Sequence, residues 1–238
     1  MKQGIIIGAS SGIGWELAVQ LAAKGYQLGL VARRLEKLEH LSNSLAGDHF
    51  VFQADISETE QAQQGLKDLI EKMGNVELIV LNSGVGQQEK KLDWDIEREM
   101  IDVNIRGFAA LTVVSMNYFH ERGNGHLVGI SSVAAHMSGG LAPTYAATKA
   151  FVSSYLNGMR SRAEYSKLPI TVTTVEPGFV DTPMVQGTPI WTATVEKAVS
   201  QLVPAIINKK GHIYITKRWR YVAWLLNIMP KWLKRRLF

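Results

Sequence analysis

The chain has 238 residues, 46% of them hydrophobic, which is enough to bury a sizeable core in a single α/β domain. Its formal net charge of +5 is uneven, because residues 208–238 contain nine Lys and Arg and no acidic residue, which leaves 17 basic and 21 acidic residues in 1–207. This distribution argues against a basic surface across the fold, so we expect no nucleic-acid partner. The chain has no cysteine and its six histidines lack zinc-site spacing, so we expect no metal.

Apolar segments of strand length alternate with helical segments, which indicates repeated βαβ units. Most of these strands are too apolar to have a solvated face, as in a parallel sheet covered by helices on both faces. The sequence therefore predicts one doubly wound, Rossmann-type α/β domain of about seven strands. The predicted strands are 4–7, 26–31, 49–53, 78–81, 126–130, 170–175 and 212–215, and the predicted helices are 12–24, 35–45, 58–73, 94–122, 144–165 and 194–207.

A glycine-rich turn follows the first predicted strand and leads directly into a helix. Such a turn presents backbone N–H groups and the positive end of the helix dipole to a phosphate. Gly8 permits the tight turn, Gly12 lets the backbone approach a cofactor, and Gly14 lets the helix and strand pack closely. The alternative, a turn that only needs positive φ, is disfavoured by the strand-turn-helix context. We predict a pyrophosphate cradle formed by Gly8, Ser10, Ser11, Gly12, Ile13 and Gly14.

The second predicted strand leads into Ala32, Arg33 and Arg34. This position lacks the acidic residue that binds the ribose 2′-hydroxyl in NAD-preferring enzymes. Ala32 leaves room there, and Arg33, helped by Arg34, is suited to charge-assisted hydrogen bonds with a 2′-phosphate. Arginines that merely lie at a helix start are the alternative, which is disfavoured because the helix dipole repels a cation there. We therefore expect NADP(H) as cofactor.

Tyr145 and Lys149 are four positions apart on a predicted helix, so both side chains lie on one face. An ammonium ~5 Å from a phenol contributes about 3 kcal/mol at an effective dielectric of ~20, which lowers the phenol pKa by about two units. This spacing also occurs by chance in surface pairs, so its context decides. Ser132 supplies that context, because it follows a predicted strand whose carboxyl end faces the ligand crevice of such a sheet.

At these residues the sequence resembles the short-chain dehydrogenase/reductase family, whose pattern joins a G-x-x-x-G-x-G turn, an upstream Asn, a Ser and Tyr-x-x-x-Lys. The resemblance runs from residue 4 to about residue 215. It implies that Tyr145 donates or accepts a proton, that Ser132 binds the substrate oxygen, and that Lys149 holds the nicotinamide ribose and lowers the tyrosine pKa. Asn104 would support Lys149 through water.

The resemblance also implies an activity and further cofactor contacts. The activity is NADP(H)-dependent interconversion of a carbonyl and an alcohol in a small-molecule substrate. We expect a homodimer or homotetramer. The further cofactor contacts are Asp55, Ile56, Asn82, Ser83, Gly84, Pro177, Gly178, Val180 and Thr182.

The sequence departs from the family pattern at two places. Leu81-Asn82-Ser83-Gly84 stands where the family often has Asn-Asn-Ala-Gly, which weakens local hydrogen bonding. The stretch 183–194 is shorter than many substrate lids, which suggests an open or membrane-facing pocket. The candidate pocket residues, each of which also suits plain packing, are His136, Met137, Phe179, Met184 and Trp191.

Residues 217–238 interleave tryptophans and leucines with seven Lys and Arg, and we divide the chain into a catalytic domain, 1–216, and this amphipathic tail. Its apolar run is too short to span a bilayer. The tail suits peripheral contact with an anionic membrane surface, or alternatively packing on the domain or on a second subunit. The N-terminus lacks the features of a signal peptide, so we expect a cytoplasmic protein, peripheral on the membrane if the tail binds lipid.

Two functional alternatives remain beside catalysis. The chain could be a non-catalytic dinucleotide-binding sensor, or a membrane-surface adaptor that acts through its tail, since fold alone does not imply activity. The presence of Asn104, Ser132, Tyr145 and Lys149 together favours the enzyme. A hydrophobic or lipid-derived carbonyl is the expected substrate, because of the tail and the apolar lid residues.

Overall fold

The computed structural model describes residues 2–88, 91–137, 140, 142–184, 191–230 and 232–233. Seven parallel strands form one sheet in the order β3-β2-β1-β4-β5-β6-β7. The sequence prediction of a seven-stranded Rossmann-type sheet is confirmed. The strands are β1 (Lys2–Ile7), β2 (Tyr26–Ala32), β3 (Phe50–Gln53), β4 (Val76–Leu81), β5 (Gly125–Ile130), β6 (Ile170–Pro177) and β7 (His212–Ile215).

Helices cover both faces of the sheet. One buried cluster joins the sheet to α3, α5 and α6, and a second joins it to α1, α2 and α7. The strands between these layers are apolar because neither face meets water, as β5 shows by its burial along its whole length. The helices are α1 (Gly12–Ala22), α2 (Leu35–Ser44), α3 (Thr59–Met73), α4 (Trp94–Ile101), α5 (Phe108–Arg122), α6 (Pro143–Ser166), α7 (Val195–Ile207) and α8 (Trp219–Ile228).

The helix predicted for 94–122 differs from the structure. A π-helical turn, Asp102–Gly107, separates α4 from α5. Val103, Asn104 and Gly107 in this turn are buried. A Cβ at Gly107 would overlap the carbonyl oxygen of Ile56, so the helix backbone lies directly against the segment after β3. The other predicted elements end within two residues of those observed.

The strand order reverses between β1 and β4, and ligands of open α/β sheets bind at such a point, outside the carboxyl ends of the strands. The turn after β1 and the ends of β4, β5 and β6 all lie at this edge. Backbone hydrogen bonds join the segments at this edge, because Gly8 N donates to Val31 O and Asn82 N donates to Ile7 O. The fold therefore brings together residues that are far apart in sequence.

The predicted tail contains α8, which packs on the domain through one face. Trp219, Ala223 and Leu226 on that face are buried. The helix lies against β7 and against a 3₁₀ turn, Val133–His136, which follows Ser132. In the described part of the chain, no helix is long and apolar enough to cross a bilayer.

Candidate active site

A cleft of about 640 Å³ runs along the carboxyl edge of the sheet, from the glycine turn to Tyr145. All predicted site residues line it except Gly14 and Asn104, which contact residues of its wall. The predicted residues that line the cleft are Gly8, Ser10, Ser11, Gly12, Ile13, Arg33, Arg34, Asp55, Ile56, Asn82, Ser83, Gly84, Ser132, Tyr145, Lys149, Pro177, Gly178, Val180 and Thr182.

Two glycines of the turn, Gly8 and Gly14, leave no room for a side chain. Gly8 has φ of +92°, and a Cβ there would lie 2.6 Å from the backbone nitrogen of Ser83. A Cβ at Gly14 would overlap the Gly8 carbonyl oxygen and lie 2.6 Å from Asn82 Nδ2. Asn82 Nδ2 donates to that same oxygen at 2.9 Å. The backbone is thus held tightly at the N-terminus of α1, a geometry that suits a pyrophosphate group.

The two arginines after β2 have different partners. Arg34 Nη2 donates to Ser10 Oγ at 2.8 Å and to Ser11 Oγ at 2.9 Å. Arg33 Nη1 lies 3.7 Å from Asp55 Oδ2 and 3.5 Å from Glu99 Oε1. Arg34 is therefore fixed beside the glycine turn, whereas Arg33 lies between two carboxylates.

Asp55 carries a negative charge at this end of the cleft. Burial raises the pKa of Asp55, but hydrogen bonds from Ser57 and the charge of Arg33 outweigh burial and lower it. Ser57 contributes two of these bonds, through its backbone N–H at 3.0 Å and its hydroxyl at 2.7 Å. Asp55 therefore stays ionised and holds Arg33 near the cleft.

Tyr145, Lys149 and Ser132 meet at the other end of the cleft. Tyr145 lies in the first turn of α6, and its phenol is close enough to Ser132, which follows β5, for that hydroxyl to affect its pKa. Lys149 lies one turn later, with Nζ 5.7 Å from the centre of the Tyr145 ring and 3.2 Å from Ile130 O, to which it donates. One face of α6 thus presents both ionisable groups to the end of β5, as the sequence spacing predicts.

Burial controls both pKa values in the protein alone. Burial raises the pKa of Tyr145, and the hydrogen bond with Ser132 lowers it by less. Burial also lowers the pKa of Lys149 to about 8. The charge calculation from the sequence predicted a lowered tyrosine pKa, and here the direction is opposite because that calculation left out desolvation of the phenolate. The phenolate and the ammonium stabilise each other when both form.

Asn104 holds the segment after β4 beside Lys149. Its Nδ2 donates to Val85 O at 2.7 Å and to Thr148 Oγ1 at 3.1 Å, and its Oδ1 accepts from Val85 N at 2.9 Å. A Cβ at Gly84 would lie 3.0 Å from Lys149 Nζ and 3.3 Å from Asn104 Oδ1. Asn104 and Lys149 are thus neighbours across Gly84, and the water-mediated contact between them stays a prediction.

A smaller cavity of about 150 Å³ opens beside Ser132 and Tyr145. Three of the five candidate pocket residues line it: Met137, Phe179 and Met184. The other two pack elsewhere. His136 hydrogen-bonds with Glu176, and Trp191 packs edge-on against Trp219 with ring centres 6.0 Å apart. Of the stretch predicted to form a short lid, 185–190 lies outside the described residues.

Sequence reasoning missed Gly86, which borders both the cleft and the smaller cavity. A Cβ at Gly86 would lie 2.6 Å from Tyr145 Cδ2, so the chain after β4 passes directly against the phenol ring. The only sequence feature that could have pointed to Gly86 is the Asn82-Ser83-Gly84 motif just before it.

Sequence reasoning also missed a polar cluster behind Ser132, which we call the Glu176 cluster: Glu176, His136, Ser153, His212 and Tyr214. Glu176, near the end of β6, is only 2% exposed. Its Oε2 lies 2.8 Å from His136 Nε2 and 3.3 Å from His212 Nε2, and Ser153 Oγ donates to its Oε1 at 2.6 Å.

Burial raises the pKa of Glu176, but these hydrogen bonds outweigh burial and lower it to about 2. The same carboxylate and burial raise the pKa of Tyr214 to about 12.

The Glu176 cluster connects Ser131 and Lys149 to α8. Ser153 Oγ lies 2.8 Å from Ser131 Oγ, which donates to Lys149 O. His136 Nδ1 lies 3.1 Å from Asn227 Oδ1 on α8. A single buried carboxylate thus ties the residues around Ser132 to β7 and to the C-terminal helix.

Comparison with known proteins adds family membership to this geometry. The sequence model of the short chain dehydrogenase family matches residues 2–193. An uncharacterized oxidoreductase of Mycobacterium tuberculosis is 32% identical over an alignment of 244 positions, which covers 98% of this chain and 95% of the relative.

Two solved structures share the fold. A short chain dehydrogenase/reductase from Burkholderia phymatum in complex with NAD has a TM-score of 0.85 at 20% identity, over 94% of this chain and 92% of that one. A short-chain dehydrogenase from Sphingobium yanoikuyae in complex with NADPH has a TM-score of 0.82 at 21% identity, over 97% of both chains. With the family match over most of the sequence, these findings show that the chain belongs to the short-chain dehydrogenase/reductase family of oxidoreductases.

Proposed function

We propose that the protein is an NADP(H)-dependent oxidoreductase that interconverts a carbonyl and an alcohol, with Tyr145 as general acid and base. The observation that carries this proposal is the convergence of Ser132, Tyr145 and Lys149 at one end of the cleft that begins at the glycine turn. That arrangement places a proton-transfer group beside a dinucleotide cradle.

The glycine turn and both arginines would hold the phosphates of the cofactor. Backbone N–H groups at the N-terminus of α1, such as those of Gly12 and Ile13, would bind the pyrophosphate, and Arg34, with Arg33, would bind a 2′-phosphate. The absence of a carboxylate at Ala32 supports NADP(H) over NAD(H). The two solved relatives contain NAD in one case and NADPH in the other, so the preference rests on these side chains.

The nicotinamide end would lie near Tyr145 and Lys149, with the segment from Pro177 to Thr182 against it, since all of these line the same cleft. When bound, the nicotinamide supplies or accepts the hydride. Ser132 orients the substrate oxygen by a hydrogen bond, and Tyr145 gives that oxygen a proton during reduction or takes one during oxidation. The ammonium of Lys149 then stabilises the phenolate that burial alone disfavours.

The smaller cavity supports an apolar substrate. Its wall includes Met137, Phe179 and Met184, and it opens directly onto Ser132 and Tyr145. A hydrophobic or lipid-derived carbonyl is therefore the proposed substrate, because apolar side chains outnumber Gln87 and Gln88 in this wall.

The test measures oxidation of NADPH with aliphatic, aromatic, steroidal and acyl ketones, and uses NADH for comparison. We expect turnover with an apolar ketone, and a fall in kcat of about 10²- to 10⁴-fold for Tyr145→Phe with little change in NADPH affinity. The matched control is Tyr165→Phe, a change on the same helix at a side chain that is 90% exposed, which leaves kcat unchanged. Tight NADPH binding with no turnover on any ketone would instead support a non-catalytic sensor.

A further inference from the structure

The C-terminal helix α8 is apolar on two faces. The face formed by Trp219, Ala223 and Leu226 packs on the domain, where Trp219 lies edge-on to Phe179 with ring centres 5.5 Å apart. A Cβ at Gly178 would overlap the indole of Trp219, so this packing is tight. The domain therefore fixes how α8 is rotated about its own axis.

This rotation leaves a second apolar face in solvent. Tyr221, Trp224, Leu225 and Ile228 are spaced i, i+3, i+4 and i+7, and each is at least half exposed. Trp232, shortly after the helix, is 67% exposed. Residues at this spacing lie together on a helix, so the exposed side chains form one stripe rather than scattered single contacts. We call Tyr221, Trp224, Leu225 and Ile228 the α8 stripe.

Positive charge lies at both ends of the α8 stripe in sequence. Lys217, Arg218 and Arg220 stand at its start, four further Lys and Arg lie within 231–236, and 217–238 contains no acidic residue. Tryptophan and aliphatic side chains flanked by cations are the combination that binds the headgroup region of an anionic bilayer.

We propose that the α8 stripe docks the protein on an anionic lipid surface, with α8 in the plane of the interface. A second copy of the chain fits this surface less well. A two-fold dimer would place the same cationic segment of each copy against the other, where like charges repel. An anionic bilayer instead complements the charge and accepts the apolar side chains. This proposal does not depend on the catalytic one.

The test is flotation of the full-length protein with vesicles of phosphatidylcholine alone and with vesicles that also contain phosphatidylglycerol. We expect binding to the anionic vesicles that weakens as salt is raised. The double variant Trp224→Ser/Ile228→Ser should bind at least about tenfold more weakly, because two side chains no longer enter the interface. Lys217→Gln/Arg220→Gln should weaken binding by a similar factor.

Trp94→Ser is the matched control. Trp94 is 66% exposed, close to the 63% of Trp224, but Asp93, Asp95 and Glu97 stand beside it in sequence, whereas 217–238 contains no acidic residue. We expect this variant to float like the unchanged protein. Thermal unfolding checks that every variant is folded, since the substituted side chains lie outside the core.

Three outcomes would overturn the proposal: equal binding to neutral and anionic vesicles, equal binding by the stripe variant, or no binding at low salt. Size-exclusion chromatography identifies the rival occupant. If the unchanged protein is an oligomer that the stripe variant dissociates, and neither binds vesicles, the stripe is an interface between copies. The same measurement tests the predicted homodimer or homotetramer.

Discussion

The glycine turn after β1 lines the cleft, the Glu176 cluster lies behind Ser132 at the other end of it, and different interactions hold the two regions. The turn is held by backbone contacts that a side chain at Gly8 or Gly14 would break, and its residues lie within seven positions of one another. The Glu176 cluster is held by side-chain hydrogen bonds between β6, β7, α6 and the 3₁₀ turn after Ser132. The turn is therefore formed by residues that are close in sequence, whereas the cluster requires four separate elements of the fold.

The two regions should therefore respond differently to substitution and to pH. A single added methyl group disrupts the turn through steric overlap, at any pH. The cluster depends on the charge of one carboxylate, so its contribution to stability should depend on pH. Substitutions in the two regions separate these behaviours.

The largest effect is expected for Gly14→Ala. The new Cβ would overlap the Gly8 carbonyl oxygen, so we expect a loss of about 3 kcal/mol of stability or more, together with loss of dinucleotide binding. The matched control is Gly158→Ala on α6, where a Cβ meets nothing within 4 Å and should stabilise the protein by about 0.5 to 1 kcal/mol. Urea unfolding measures both, and equal stability of the two variants would contradict the steric argument.

Glu176→Gln should come next. The pKa of Glu176 is lowered from 4.5 to about 2, so ionised Glu176 contributes about 3 kcal/mol of stability above pH ~4.5, and this is lost as the pH falls towards 2. The difference in unfolding free energy between the unchanged protein and the variant should therefore be largest near pH 7 and fall to about half by pH 3. Urea unfolding at both values measures it.

A second buried group, His126, also makes the stability of the protein depend on pH. The unchanged protein and Glu176→Gln therefore have to be compared with each other at each pH. Burial lowers the pKa of His126 to about 4, so the unchanged protein also loses stability between pH ~6.5 and 4 for this separate reason. Subtracting the variant removes this contribution, because both proteins retain His126. Glu71→Gln, at an exposed position on α3, is the control and should show little difference at either pH. A Glu176 difference that does not change with pH would mean that packing, not charge, holds the cluster.

The smallest effects are expected at the two arginines, beginning with Arg34→Ala, which tests whether Arg34 beside the glycine turn binds a 2′-phosphate. Because Arg34 is already fixed to Ser10 and Ser11, its loss should weaken NADPH binding by roughly 10- to 100-fold while NADH binding changes little. Arg33→Ala should have a smaller effect, since Asp55 and Glu99 already share that charge. Fluorescence titration with each nucleotide measures the affinities. A larger effect at Arg33 would restore the order of importance that the sequence suggested.

The regular parts of the fold were predictable because their signals are local. Buried parallel strands need apolar residues on both faces, and the glycine turn sits directly between a strand and a helix. The tail was also recognisable by composition. Its division into a packed face and an exposed face was not, because only contact with Phe179 and its neighbours fixes how α8 is rotated.

The site was predictable where a family motif marks it and not elsewhere. Ser132, Tyr145 and Lys149 belong to one pattern and converge as expected. Glu176 has no such signal, since its partners His136, Ser153 and His212 lie 23 to 40 positions away in sequence. The sequence predicted a lowered pKa for Tyr145, but burial raises it, because the spacing of Tyr145 and Lys149 measures charge separation and not burial.

The π-helical turn at Asp102–Gly107 places one extra residue between α4 and α5, and this residue changes the direction of the α5 side chains relative to those of α4. Each residue of an α-helix advances the direction of the side chain by about 100°, so one surplus residue offsets the two helices in phase by that angle. Removing a single residue from the turn would restore an ordinary helix, but either Asn104 or the inward residues of α5, such as Phe108, would then point the wrong way. A one-residue deletion in the π-helical turn should therefore destabilise the protein far more than a one-residue deletion within 91–93, where the residues before α4 are exposed.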